Sequence, residues 1–570
     1  MTKLLLAALL LVAAGCGKSG PVSFQESGTD KSGNGAADQR QDPLRPPDSW
    51  ASHTDAGPEV TELSLDRRPE APWTFRPRED VPAWDISLPL DWSADPFEDS
   101  NWQHGLHSWR PMEYWLYAYR RDRDVAELLA PIRIALDWYR FHIEEGRTSD
   151  FQWYDHSTGI RASRLAFLLD VILSDRIEVP DADLARLMTL ADLHAEKLME
   201  PEFLNPRNHG LFQMVGLDAL CSVVYWRSAC EGARSYAGET FGNLVKSWFS
   251  QEGVHIENSP TYHGWVTHKI RETGADVRFQ QPDVQRILEK ADEITPWLTY
   301  PNGQWVPVGD SNGMGPKLSG SVEPACLTDD AGCWAVRDFT KSGYALVRSL
   351  PETDESEASM LFVSGMAAPT GHKHSDDLSF VLIEGGREVF TDSGRYGYNF
   401  DQARSYVLSA RAHNILSLED RSIGPSQIDP ANSGLEPVLV EQGQFTIRGV
   451  VDRPDLFLHE RTISYVPGAL LRIEDRLHNR TDSRWQSNLH LAADLIPAID
   501  EKGFVVNSGD LTVRGEFSGE GCEISTARGE TDPYQGWVSV GYLQLTPATV
   551  IVATCPADLV DSSWHIVFER

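Results

Sequence analysis

Positive charge is what this sequence is short of. Only 51 lysines and arginines stand against 84 aspartates and glutamates, a formal net charge of -33 over 570 residues. A chain this acidic cannot neutralise a phosphate backbone, which excludes nucleic acid as a partner. The same field opposes a polyanionic substrate at low salt. Screening confines that opposition to roughly 8 Å at physiological ionic strength, so basic residues placed at a cleft can still govern binding. Long apolar runs are also missing. The run at 4–14 is too short to cross a bilayer as a mature helix, and no other segment reaches transmembrane length. Cysteine is scarce, and none of it has the CxxC spacing of a structural metal site. No exact internal repeat is visible.

What is present at the N-terminus reads as an export signal. Lys3 precedes the apolar run, which ends in Ala13-Ala14-Gly15-Cys16, similar to a bacterial lipobox with Ala13 where leucine is more usual. Residues 1–16 are then a lipoprotein signal with Cys16 as the lipidated end. The expected location is the bacterial cell envelope, facing the periplasm or cell surface, with the membrane reached only through that anchor. A plain secretory signal is the alternative. Residues 17–47 are rich in Gly, Ser, Asp and Gln and read as a flexible tether. An exported chain permits disulfides. Six cysteines remain, and Cys326 with Cys333 and Cys522 with Cys555 are the tempting pairs, although connectivity stays open.

From about 105 to 300, apolar residues recur at three- and four-residue spacing, which predicts helices over 109–121, 125–144, 159–173, 182–199, 211–226, 234–251, 260–274 and 284–298. Sequential helical hairpins of this kind build bundles, solenoids or toroids. The composition turns to Gly, Pro, Ser and Asp around 300–340. Short strands then follow at 344–348, 360–364, 378–383, 388–391, 414–418, 445–451, 456–466, 470–477, 485–492, 505–513, 537–545 and 550–554, the pattern of an antiparallel sandwich. At 570 residues, more than one core is expected.

Three stretches carry possible chemistry. Asn205-Pro206-Arg207-Asn208-His209-Gly210 opens a helix, where Asn208 can serve simply as a cap. In Asn258-Ser259-Pro260-Thr261-Tyr262-His263-Gly264, Ser259 can cap and Pro260 can occupy the first turn. Tyr262 would then sit at a helix N-terminus, whose partial positive charge favours a phenolate. The third stretch, Gly371-His372-Lys373-His374-Ser375-Asp376-Asp377, sets two histidines two residues apart. If extended, it points both to one face. Two imidazoles there must bind metal, carry protons or be fully hydrogen-bonded; a satisfied pair at a sheet edge is the plain alternative.

In this order, across helices followed by strands, the three stretches resemble the heparinase II/III-like polysaccharide lyases. Gly309-Asp310-Ser311, Ser409-Ala410-Arg411-Ala412-His413-Asn414 and Asn488-Leu489-His490-Leu491 add to the resemblance. It implies an α+β multidomain chain, with an incomplete (α/α) toroid at 48–330 and an antiparallel β-sandwich at 331–570. It also implies β-elimination on a uronic-acid-containing, anionic polysaccharide. Such a lyase takes the proton from C5 of a uronate and expels the oxygen at C4, so it needs donors for the neighbouring carboxylate, a base and an acid. The catalytic set implied is Asn208, His209, Tyr262 and His372, with His372 on the opposite ring face from Tyr262 and the choice of base left open. Arg207 and Arg411 are substrate-binding candidates, and Lys373 and Arg395 are further basic residues near the motifs. The resemblance also implies a structural zinc ion on His374, Asp392 and His413. A simple hairpin at Gly385-Gly386 would set Asp392 opposite Ser379, on the other face from His374, so this site requires a bulge or a break in the strand.

Two other readings compete. A non-catalytic polysaccharide-binding envelope lipoprotein would need a broken catalytic set, and none is broken. A glycoside hydrolase needs two opposed carboxyl groups. Asp376 and Asp377 would face opposite ways in a strand, and Glu257 stands alone.

Overall fold

The computed structural model describes residues 73–75, 81–174, 177–273, 279–327, 332–365, 371–399, 401–441 and 443–570. The export signal (1–16), the tether (17–47) and the 330/331 domain boundary lie outside the described residues.

The helical periodicity folds as read, with ends shifted by a few residues. The helices are α1 (Ser100–His107), α2 (Glu113–Asp122), α3 (Leu129–Tyr139), α4 (Asp155–Ser174), α5 (Asp181–Leu198), α6 (His209–Val223), α7 (Ala233–Trp248), α8 (Pro260–Thr273) and α9 (Pro282–Ile294). Helix α1 has no counterpart among the expected ranges. Tryptophans 92, 102, 109 and 138 are fully buried in the toroid core, so much of the aromatic content is packing rather than sugar-binding surface.

One close approach in this layer matters for function. A Cβ on Gly216 of α6 would lie 2.1 Å from the Gly159 carbonyl oxygen of α4, and one on Gly159 would lie 2.4 Å from that of Phe212. The two backbones touch because neither position carries a side chain. That contact brings the N-terminus of α4, with Asp155 and His156, alongside the N-terminus of α6, with Asn208 and His209.

Among the described residues the sandwich contains a 6-stranded, a 9-stranded and a 4-stranded antiparallel sheet. The first comprises β1 (Pro324–Cys326), β2 (Cys333–Phe339), β3 (Tyr344–Arg348), β4 (Met360–Ser364), β5 (Phe380–Glu384) and β6 (Arg387–Phe390), in that order. Strands β3, β4 and β5 are buried at every position. One face packs on the inner face of the sandwich through Val347, Leu361, Val363 and Phe380. The other packs Leu346, Phe362 and Val381 on Trp297, Leu298, Trp305 and Val306, which follow the last toroid helix. A sheet covered on both faces reads as continuous apolar runs, and this double burial is what docks the sandwich on the toroid. β1 already belongs to the sheet, so the sheet begins ahead of residue 331.

Several strand expectations are corrected. The range 505–513 is a hairpin, Gly503–Ser508 with Leu511–Ser518, turning at Gly509 and Asp510. The range 537–545 is likewise two strands, Trp537–Gly541 and Gln544–Pro547. A helix, α10 (Gln402–Leu408), interrupts the strands, capped by the Asp401 carboxylate accepting from the Arg404 N–H. The disulfides are Cys221–Cys230, Cys326–Cys333 and Cys522–Cys555. No helix among the described residues is long and apolar enough to cross a membrane.

Behind the site, a buried ion pair fixes loop geometry. Arg461 pairs with Asp475 (Nε–Oδ1 2.6 Å) and donates through one nitrogen to the carbonyls of Leu378 (2.9 Å) and Asn414 (2.5 Å). The Asn414 side chain in turn donates to the Phe380 and Thr391 carbonyls at 2.7 and 2.8 Å. The segments bearing His374, Asp392 and His413 are therefore tied to one another by hydrogen bonds that span distant parts of the chain.

Candidate active site

A cleft of about 850 Å³ lies between the toroid and the sandwich, lined by Asn208, His209, Glu257, Tyr262, Asp310 and His372 among others. The histidine pair does not lie on a strand. β5 starts at Phe380, and the segment before it is irregular, with His372 at φ 59° and Leu378 at φ 67°. Left-handed backbone at a histidine costs roughly 1–3 kcal/mol and persists only where its surroundings impose it. Here the His372 carbonyl accepts the Asp310 N–H at 3.2 Å. Gly309 makes that approach possible: its φ is 55°, and a Cβ would stand 2.3 Å from the Asn258 carbonyl and 2.8 Å from that of His372. Because the segment is not extended, the two imidazoles diverge. His372 faces the cleft and His374 is fully buried behind it.

Asp310 stands between them. Its carboxylate accepts from His372 Nδ1 at 2.8 Å, from His374 Nε2 at 3.0 Å, and from the Arg404 guanidinium at 2.6 and 3.0 Å. Burial would raise the Asp310 carboxyl, but the hydrogen bonds from both histidines and Arg404 outweigh it and hold the group well below the usual carboxylate range. An ionised carboxylate only accepts, so His372 Nδ1 carries the proton and Nε2 presents its lone pair when the ring is neutral. Nε2 lies 3.6 Å from Glu257 Oε2.

Tyr262 lies in the first turn of α8, where Pro260 is the first residue and the Ser259 hydroxyl accepts the Tyr262 N–H at 3.2 Å. Its ring stacks on His372, with centroids 3.5 Å apart and planes at 16°. The two rings therefore stand side by side at the cleft rather than across it from one another. Burial works against the phenolate that the helix terminus favours. Burial pushes the Tyr262 hydroxyl up to about 12, although a hydrogen bond with Tyr398 (2.8 Å between oxygens) works against the rise. A helix terminus offers only about 0.3–1 kcal/mol, less than the desolvation it opposes.

Asn208 occupies the cap position of α6, but its side chain makes no capping bond. It donates instead to Glu257 Oε2 at 3.2 Å. Burial raises the Glu257 carboxyl despite His372, Arg207 and His209 nearby. His209 Nδ1 lies 2.9 Å from Asp155 Oδ1, and its ring stacks on His156 with centroids 4.5 Å apart.

The basic residues divide. Arg207 and Arg395 line the cleft, and neither has an ion-pair partner among the described residues. Arg411 does not reach it. Its guanidinium donates to the Glu419 carbonyl at 2.8 Å and borders a separate recess with Tyr406 and Tyr534. Lys373 is buried and paired with Asp376 and Asp377, the latter at 3.1 Å. The two aspartates thus converge on one ammonium rather than facing apart, and they do so away from the cleft.

His374, Asp392 and His413 converge in a buried group, each offering a ligand atom within 4.8 Å of the others. The bulge that this requires exists. Leu382 pairs with Phe390 while Ile383 pairs with Glu388, which slips the register before Asp392. His413 Nδ1 lies 2.7 Å from Asp392 Oδ2. His374 Nδ1 and His413 Nε2 are buried with no hydrogen-bond partner. Buried ring nitrogens without partners are costly, and a cation between them would remove that cost. The residues therefore fit a metal ion.

Asp310, Arg404, Tyr398 and Asp155 take part in the site without having been singled out for a role. Asp310 had a signal, the Gly309-Asp310-Ser311 run; the others had none in local spacing.

A helical toroid facing an antiparallel sandwich across such a cleft is an architecture shared with solved heparinases. A heparinase III structure matches with TM-score 0.66 at 16% identity, over 84% of this chain and 79% of that one. The heparinase III BT4657 gene product matches at 0.60 and 16%, over 85% and 80%. The heparan sulfate lyase HepC from Pedobacter heparinus matches at 0.55 and 15%, over 87% and 81%. At these identities the likeness establishes the fold. Family models supply the rest: heparinase II/III N-terminus matches residues 59–312, and heparinase II/III-like, C-terminal, matches 332–562. The chain belongs to the heparinase II/III-like family. No curated protein sequence matches it.

Proposed function

We propose that this protein is a polysaccharide lyase that cleaves a uronic-acid-containing polysaccharide by β-elimination. The observation that carries the reading is the stacked pair of Tyr262 and His372, with Asp310 fixing the His372 tautomer. With Nδ1 protonated toward Asp310, Nε2 is the base that takes the C5 proton. The electron pair of the C5–H bond forms the C4–C5 double bond as the C4–O bond breaks. The leaving oxygen takes the Tyr262 proton, which a phenol held neutral by burial is suited to give. Asn208, whose amide is held by Glu257, can hydrogen-bond the uronate carboxylate, which must be relieved of charge before C5 becomes acidic. Arg207 and Arg395 offer charge to that carboxylate and its neighbours. Base and acid on one side favour substrates whose C5 proton and C4 oxygen lie on the same ring face.

Incubation with alginate, glucuronan, hyaluronan, chondroitin and heparan sulfate tests this directly, since elimination creates an ultraviolet-absorbing unsaturated uronate. New reducing ends without that absorbance would instead indicate hydrolysis, for which Glu257 and Asp310 are the carboxyls at the cleft.

The metal proposed on His374, Asp392 and His413 is zinc, acting structurally behind His372. When bound, it supplies cohesion between the three segments rather than Lewis-acid chemistry at the cleft. Elemental analysis is expected to find one zinc per chain, lost in His413→Ala together with several degrees of melting temperature. A metal-free wild-type protein of unchanged stability would count against it. The reading also sets the enzyme in the cell envelope, anchored through a lipid on Cys16. The three disulfides support an oxidising compartment.

A further inference from the structure

The two walls of the cleft also touch away from the Tyr262–His372 pair. Asn101, in the first turn of α1, donates its side-chain amide to the Tyr542 hydroxyl at 2.6 Å across a separation of 441 residues. Both residues line the cleft that holds Tyr262 and His372. Tyr542 stands at the turn of the Trp537–Gly541/Gln544–Pro547 hairpin, which pairs with none of the larger sheets.

The hairpin is held in place. Ser539 donates its N–H to the Ser393 carbonyl at 2.8 Å, and its hydroxyl accepts the Tyr396 N–H at 3.0 Å. Leu543 returns an N–H to the Tyr396 carbonyl at 2.8 Å from a backbone at φ 54°. A leucine takes that conformation only where its surroundings impose it. The Tyr542 ring faces the Arg395 guanidinium, 5.7 Å from the ring centroid, and lies 6.5 Å from the Tyr398 ring. Tyr398 is in turn the hydrogen-bond partner of Tyr262. The contact therefore joins α1 to the residues beside the reacting groups.

We infer that the Asn101–Tyr542 contact closes the cleft at that end and makes this protein act on chain ends, a specificity that rests on the lyase reading of the same site. A cut inside a polymer needs the chain to leave the cleft on both sides of the reacting bond. Two walls in hydrogen-bond contact leave no room for a sugar ring to pass where they meet. A chain terminus needs only one opening, and the wall around Asn101, His104, Arg110 and Tyr542 is where that terminus comes to rest. Asn101 and Tyr542 are then specificity-determining residues, and the product is a short unsaturated fragment released one at a time.

Two measurements test this. On the best polymer of the panel, absorbance should rise while viscosity and the mass of the residual polymer fall only slowly, with one short unsaturated product from the start. In Asn101→Ala the pattern should shift toward a ladder of intermediate sizes. Rapid loss of viscosity and an early ladder in the wild type would overturn the inference. The second measurement needs no turnover. Calorimetric titration of Tyr262→Phe with size-defined uronate oligosaccharides should give one protein per chain at every length. Several proteins per long chain would overturn end recognition. One per chain without absorbance in the wild type would leave end recognition standing and remove the lyase reading instead.

Discussion

Tyr262→Phe is expected to lower turnover by about 10²–10⁴-fold, the range attributed to a positioned proton donor, with the fold intact. The substitution keeps the ring and its stack on His372 and removes one hydroxyl. Its structural cost is one hydrogen bond to Tyr398, about 1 kcal/mol, so the melting temperature should move by only a few degrees. Substrate affinity should change far less than turnover, because the proton is needed only as the C4–O bond breaks. The pH dependence separates an acid from a base. Burial places the phenol at about 12, so the neutral form dominates at every ordinary pH and the donor is always loaded. The wild-type profile should therefore show no alkaline loss from Tyr262 below about 12. If the phenolate were the working form, its population would rise about tenfold per pH unit toward that value, and the rate would rise with it. A climbing alkaline limb would reverse the roles given to Tyr262 and His372. Wild-type turnover in the phenylalanine variant would remove Tyr262 from the chemistry altogether.

What local pattern encodes and what it does not can be seen in the same few residues. The helix bearing Tyr262 was legible because capping and the first-turn proline are local: Ser259 and Pro260 do what their types favour. Strands β3 and β4 were legible to the residue because an apolar run covered on both faces has sharp ends. The path of the histidine pair was not legible. Alternation assumes a regular strand, whereas His372 owes its left-handed backbone to Asp310 and Gly309, more than sixty residues earlier in the chain. The register slip before Asp392 depends on how β5 and β6 pair, which neither strand specifies alone. Arg411 shows the same limit. Its sequence neighbour His413 reaches the buried metal group, but a single turn of helix directs the guanidinium to the Glu419 carbonyl instead of the cleft. For Tyr262, the helix terminus is visible in sequence and the burial that opposes it is not.

The second large effect is expected at Asp310, whose carboxylate joins the two histidines. In Asp310→Asn the oxygen that accepts from His372 Nδ1 can be replaced by a donor, and the ionised acceptor that compelled Nδ1 to carry the proton is gone. The tautomer with the lone pair on Nδ1 then competes, leaving Nε2 protonated and unable to take the C5 proton. The comparable substitution behind a catalytic histidine in serine proteases costs about 10⁴-fold with the geometry intact. A loss of about 10³–10⁴-fold in kcat is expected here, with KM little changed because Asp310 holds His372 rather than the substrate. Stability should also fall, unlike in the Tyr262 variant. Asp310 is fully buried and neutralises Arg404 through two hydrogen bonds, and removing one partner of a buried pair typically costs about 3–5 kcal/mol. Arg404 keeps a donation to the Arg395 carbonyl at 2.9 Å and its place 5.3 Å from the Tyr398 ring centroid, neither of which neutralises its charge. The double variant Asp310→Asn with Arg404→Gln separates the two effects. It should recover much of the stability, since no uncompensated charge is left inside, but none of the turnover, since nothing restores the Nδ1 proton. Recovery of turnover along with stability would mean that Asp310 serves the fold alone, and the assignment of His372 Nε2 as the base would fall with it.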